Sequence, residues 1–194
     1  MASEVGILNA ALTKIGSKQS VTSFTQGSPA ANFGAARYAD LRDDLLRDHN
    51  WNFAIRRVKL ARLAAAPTFG YSYAYELPDK WLKILNGWDN EACVGHLDYL
   101  VEDNKLLCNS EEVWIKYITQ VTDPNAMPAD FRECLALKLA VEAAITIAGS
   151  SSLSALMEDR FSRKVLKATS NDAFDTRPSR LPVGSWHASR FRGL

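Results

Sequence analysis

Apolar residues three and four positions apart near the start of the chain, Val5, Leu8, Leu12 and Ile15, predict a helix from about Glu4 to Ile15. Ser3 precedes it as an N-cap and Gly16 follows its end. After the polar loop SKQSVTSFTQGS, Ser28 and Pro29 read as the cap and first residue of a second helix. Its apolar stripe is Tyr38, Leu41 and Leu45. Arg37, Asp40, Arg42, Asp43, Asp44, Arg47 and Asp48 cover the other sides in mixed-sign pairs, the pattern of an outer helix with one buried face.

The pattern then changes period. HNWNFAIRRVKLARL alternates in part and reads as extended chain. From about Tyr71 to Val121, SYAYELP, WLKILNGW, DYLVEDNKLLCN and EEVWIKYITQV are rich in aromatic and branched residues and are broken by Pro, Gly and Asn. Asp103-Asn104 marks a hairpin tip. Beyond Pro124 and Pro128 the helical period returns: PADFRECLALKLAVEAAITIAG carries one ridge of Phe131, Leu135, Leu139, Ala143 and Ile147 and a second of Leu137, Val141 and Ile145. A helix apolar on more than one side belongs at the centre. A fourth helix is predicted from about Ser152 to Phe174, with Leu153, Leu156, Met157, Phe161, Val165 and Ala168 facing inward.

These elements predict a mainly α (α+β) chain: a four-helix bundle with an inserted small antiparallel β meander and an extended C-terminal tail. The bundle core would comprise residues 1–70 and 122–175, the β-rich insertion 71–121 and the docking arm 176–194.

Composition narrows this only a little. With 23 basic and 22 acidic side chains the formal net charge is +1, so any affinity for nucleic acid must come from a local patch. LAVEAAITIA is the most apolar stretch; it is too short to span a bilayer and contains Glu142, so no membrane partner is expected. The spaced apolar residues after Ser3 and Glu4 read as a helix rather than an export signal. Cys93, Cys108 and Cys134 are odd in number and lack metal-ligand spacing, which suits a reducing compartment.

Catalytic chemistry finds little support. His49, His96 and His187 stand apart from other ligand-type residues and read as surface or capping histidines. Phosphate-binding loops, dinucleotide turns, nucleophile elbows and zinc-peptidase pairs are absent from the sequence. Asp43-Asp44 and Glu111-Glu112 are adjacent carboxylates, but neighbours in sequence do not make a glycosidase pair. No catalytic residue, cofactor or metal is therefore assigned, and the expectation is a non-enzymatic protein.

Two basic features remain. Arg160, Arg163, Lys164 and Lys167 recur along one side of the fourth helix, either as a solvated face or as a face toward a neighbouring subunit or duplex DNA. The segment TRPSRLPVGSWHASRFRGL has no acidic residue, and Pro178 and Pro182 bar a helix across TRPSRLPVG. Leu181, Trp186 and Phe191 are hydrophobic anchors interleaved with Arg177, Arg180, Arg190 and Arg192. Tryptophan and arginine are the side chains most enriched in interface hot spots, so docking is favoured over a disordered terminus.

The ordered set ILNAALTKIGSKQSVTSF, LRDDLLRDHNWNFAIRRVKL, YELPDKWLKI, MPADFRECLALKLAVEAA and LSALMEDRFSRKVLKATSNDAFD, spanning nearly the whole chain, resembles the head-to-tail adaptors of tailed bacteriophages, the group containing the tail tubular protein A family of short-tailed phages. The resemblance implies a structural virion protein at the head-tail interface, made in the host cytoplasm. Such adaptors form a dodecameric ring between the portal protein and the tail nozzle, a tail tubular protein B-like partner, and extend the channel for double-stranded DNA, which passes without sequence recognition. It further implies portal contact by Arg177, Pro178, Ser179, Arg180, Leu181, Pro182, Gly184, Ser185 and Trp186. A phage-borne cell-wall glycosidase and a sequence-independent DNA-binding module are the alternative expectations.

Overall fold

The computed structural model describes residues 1–175; the docking arm predicted for 176–194 lies outside them. Helix α1 (Glu4–Lys14) begins at Ser3, whose hydroxyl accepts the Gly6 N–H. Helix α2 (Pro29–Asp48) begins in the same way, with Ser28 capping the Ala31 N–H. The two helices meet closely at Gly34, where an added Cβ would lie 2.4 Å from Leu8 Cδ2, so a larger residue there would displace the buried Leu8 side chain.

Helices α3 (Ala129–Thr146) and α4 (Ser151–Phe174) are joined by a tight turn. Gly149 takes φ +64, a conformation costly for other residues, and Ser150 caps the Leu153 N–H. A link this short makes them antiparallel neighbours. Helix α3 is the hub: α1, α2 and α4 all pack on it. Its Phe131, Cys134, Leu135, Leu139, Ala140 and Ala143 are fully buried. Each neighbour is also held to α3 by ion pairs. Lys14 meets Glu133 at 2.5 Å, Lys138 reaches Asp44 at 2.6 Å, and Lys164 reaches Asp130 at 2.6 Å. The Arg37 guanidinium grips both oxygens of Glu142, at 2.7 and 2.8 Å, an arrangement that raises its pKa.

The expected architecture needs correction. The protein is a mixed α+β fold in which the helices share the core with two three-stranded antiparallel sheets; it is not a helical bundle carrying a meander. The first sheet has the order β1-β6-β3 (Ile55–Lys59, Trp114–Thr119, Trp81–Trp88), and the second β2-β5-β4 (Tyr73–Glu76, Lys105–Cys108, Tyr99–Glu102). A meander would pair consecutive strands. Here β1, drawn from the stretch assigned to the helical half, pairs with β6, and β3 leaves its sequence neighbours to flank β6 on the other side.

The physical reason is burial on both faces of the first sheet. On one face Ile118, with Ile55, Leu82 and Leu85, packs against the helices. On the other, Ile115 and Tyr117, with Val58 and Ile84, pack against Tyr75, Leu106 and Cys108 of the second sheet. A middle layer needs apolar residues in both directions, which is why WLKILNGW and WIKYIT read as near-continuous apolar runs. Register shifts along β3, between Trp81 and Lys83 and between Ile84 and Asn86, let Leu82 and Leu85 reach the helical side. The hairpin expected at Asp103-Asn104 is present. Both residues have positive φ, 47 and 58, between the paired Glu102 and Lys105.

Candidate functional site

The residues expected to contact a portal, Arg177 to Trp186, lie outside the described residues. What the structure describes is the platform from which that segment continues, the C-terminal half of α4 and the groups that hold it. The carboxylate of Asp172 accepts the backbone N–H of Asn52, at 3.2 and 3.1 Å to its two oxygens. In return the Asn52 amide donates to the Asp172 carbonyl at 2.5 Å. His49 Nε2 lies 3.7 Å from the same carboxylate, whose side chain is only 12% exposed.

This clasp sits on the best-packed part of the core. His49 ends α2 and stacks edge-on against Trp51, with ring centroids 4.9 Å apart. Trp51 is buried, donates its indole N–H to the Leu45 carbonyl at 2.9 Å, and meets Phe131 of α3 edge-on at 5.2 Å. Phe53 closes the cluster against Phe131 at 5.0 Å. The stretch expected to be extended thus begins with a short 3-10 turn, Asn52–Ala54, which aims the Asn52 amide at α4 before β1 starts. Three aromatic rings make the clasp's base rigid, and α4 is pinned within one turn of its end.

The basic stripe of α4 is divided between two roles. Lys164 points inward to Asp130, which also accepts from Asn171 at 2.8 Å. The shared proton donors hold the Asp130 carboxyl below its ordinary range, and the Asp130 hydrogen bond raises the Lys164 pKa. Arg163 is an exposed partner of Asp159 one turn back. Arg160 and Lys167 are exposed. The four cations therefore do not form a uniform outward face. Leu156, expected inside, is 44% exposed, because the line that packs on α3 runs through Leu153, Met157, Phe161, Val165 and Ala168 and leaves Leu156 at its rim. Leu166 and Phe174 are also exposed, at 73% and 84%.

The adjacent carboxylates have structural partners. Asp43 is bonded to Arg42 and Gln120, Asp44 to Lys138 and Glu112 to Lys59, while Glu111 accepts from the Tyr73 hydroxyl. Among the described residues no group of three metal-ligating side chains is assembled, and no helix is long and apolar enough to cross a membrane. Burial pushes the Cys134 thiol up to about 11, as expected for a packing residue.

A hollow of about 410 Å³ lies on the second sheet. Leu63, Ala74, Leu100 and Leu107 form its apolar surface, and Phe69, Glu102 and Asp103 stand at its margin. Sequence reading did not single it out, since its walls come from a loop and all three strands of the second sheet without any shared local pattern. Taken together, the fold and these surfaces define a mixed α+β protein whose most elaborate described feature is a helix anchored at its end. No protein-family model matches the chain, and no curated protein matches it.

Proposed function

We propose that the protein is a structural virion component, a head-to-tail adaptor that packs side by side with copies of itself and joins the portal through residues 176–194. The ordered sequence resemblance is the source of the reading. The observation that carries it is the fastening of the last turn of α4 by Asp172, Asn52 and His49, immediately before an acid-free segment set with Arg177, Arg180, Trp186, Arg190, Phe191 and Arg192. A segment with such anchors gains most from docking when it departs from a fixed point, because less freedom is then lost on binding.

Exposed Leu156, Leu166 and Phe174 give α4 an outward side suited to subunit packing. In a ring, many weak copies of the same contact combine into a durable joint. In this proposal the protein has no catalytic role, and duplex DNA passes through the ring without being read.

Binding to purified portal rings tests the reading. Trp186→Ala, or truncation before Arg177, should leave the far-UV spectrum and thermal midpoint of the subunit unchanged while portal binding is lost. Unchanged affinity after truncation would remove the basis of the proposal.

A further inference from the structure

The two edges of the second sheet differ. β2 is flanked by the chain that precedes it: the Ala74 carbonyl accepts the Leu63 N–H at 2.8 Å, and the Glu76 N–H donates to the Ala61 carbonyl at 3.3 Å. β4 has no such cover. Asp103 and Asn104 form a two-residue turn, which closes on Glu102 and Lys105 as a hydrogen-bonded pair. Bonded and non-bonded pairs alternate along an antiparallel ladder, so Leu100 and Leu107 are bonded, and the N–H and C=O groups of Tyr99 and Val101 point away from β5. Among the described residues no hydrogen bond engages those outward groups. An edge of this kind pairs readily with another extended chain.

The side chains along the edge alternate in chemistry. Leu97, Tyr99 and Val101 turn inward and pack, half-buried, on the core between the sheets. Asp98, Leu100 and Glu102 take the alternate positions and are exposed, with Leu100 and Glu102 lining the hollow. Neither acid has an ion-pairing or hydrogen-bonding partner among the described residues, whereas Asp103 beside them is paired with Lys105 at 2.7 Å. The edge therefore offers unpaired backbone, half-covered apolar side chains on one face and two unpaired carboxylates on the other.

We infer that the edge of β4 takes Arg190-Phe191-Arg192 of a second copy as an added strand, an inference that rests on the proposed packing of copies side by side. Within residues 176–194 this is the one place where cation, apolar side chain and cation follow in turn. With Phe191 opposite Val101, its ring extends the inter-sheet core beside Tyr99. Arg190 and Arg192 then fall on the other face, where their stems cover Leu100 and their guanidinium groups reach Asp98 and Glu102. The match selects against a polyanion, which the carboxylates repel, and against a wholly apolar strand, which would leave both acids unpaired.

Reach permits the contact. The 16 residues from Asp175 to Phe191 span up to about 55 Å when extended. A compact body of 175 residues is roughly 40 Å across, so the edge of a neighbouring copy is within range. A contact from the end of one copy to the sheet edge of the next is head-to-tail, the kind that closes rings. β4 has four residues, a short edge whose hold gains from repetition around a ring. Arg190, Phe191 and Arg192 lie beyond Arg177 to Trp186, so the portal keeps the earlier residues.

The test is fluorescence anisotropy of a labelled peptide with the sequence of residues 187–194, titrated with the full chain carrying Phe191→Ala, whose own segment then does not compete. Saturable binding is expected. Asp98→Lys and Glu102→Lys in the chain should each weaken it roughly fivefold or more, and Glu158→Lys, an equal charge change on α4, less than about twofold. A peptide carrying Phe191→Ala should bind at least about tenfold more weakly, and so should one N-methylated at Phe191, which keeps every side chain but loses the N–H that pairs with β4. A peptide with Arg190→Glu and Arg192→Glu should regain binding to the chain carrying both Asp98→Lys and Glu102→Lys. In sedimentation of the full chain, Phe191→Ala and Glu102→Lys should each move self-association to higher concentration. Four results would overturn the inference: no binding at about 1 mM peptide, equal affinity of the N-methylated peptide, equal losses for Glu158→Lys and Glu102→Lys, or self-association that neither Phe191→Ala nor Glu102→Lys alters. These assays contain no portal, and Trp186→Ala is read on portal rings alone, so failure here and failure of the adaptor reading are distinguishable.

Discussion

Helices α3 and α4 are similar in length and antiparallel, yet they have opposite relations to the rest of the molecule. Helix α3 is enclosed by α1, α2 and α4, with Phe131, Leu135 and Leu139 fully buried. Helix α4 packs chiefly on α3 and leaves Leu156, Leu166 and Phe174 exposed. The difference teaches that burial in α3 builds the fold, while the outward side of α4 contributes little to it. In the proposed assembly these exposed side chains meet a second copy.

The largest test of this contrast is at α3. Phe131→Ala would empty the site between Trp51 and Phe53 and should cost about 3–5 kcal/mol, read as a fall in the urea midpoint. A cost below about 1 kcal/mol would mean that α3 is not the hub.

Next comes the clasp. Asp172→Ala removes a carboxylate that holds a backbone N–H and should cost about 1–3 kcal/mol, with faster amide exchange confined to the last turns of α4 and to Asn52. Uniformly faster exchange would show that the end of α4 is not a separate fastening.

A smaller effect is expected at Asp130, which is partly exposed and therefore screened. Asp130→Asn should cost at most about 1 kcal/mol at neutral pH. Its folded pKa lies below the ordinary carboxylate value, so its contribution is present above about pH 4 and is lost as the pH falls through the depressed folded value. Lys164 shifts upward, so its contribution persists below about pH 10.4 and is lost only as the pH rises through its raised value. Wild type and Asp130→Asn should therefore differ in thermal midpoint at pH 7 and converge in strong acid.

The smallest effect on stability belongs to the exposed side of α4. Leu166→Asp should change the unfolding free energy of the isolated subunit by less than about 0.5 kcal/mol while abolishing self-association in sedimentation. Destabilisation with association intact would reverse the roles assigned to the two helices.

The sequence made the helices legible because their signals are local: Ser3, Ser28 and Gly149 mark ends, and the apolar spacing within each helix marks the buried side. Asp103 and Asn104 marked their hairpin for the same reason. Strand pairing was not legible. Ile118 serves the helical core and Ile115 the inter-sheet core, so the apolar run of β6 says only that both faces are covered, not by what. The clasp was hidden because Asp172 and Asn52 are 120 positions apart, and the fate of Lys164 depends on Asp130, 34 positions away. Charge spacing along one helix records which residues share a side, but not which of them find a partner across the fold.

Electron microscopy of the full-length protein mixed with portal rings tests the central claim most directly. The account predicts class averages with a twelve-fold ring of added density stacked on the portal, absent when the chain is truncated before Arg177. Portal rings that stay bare with the full-length chain, or that are decorated equally by the truncated one, would contradict it.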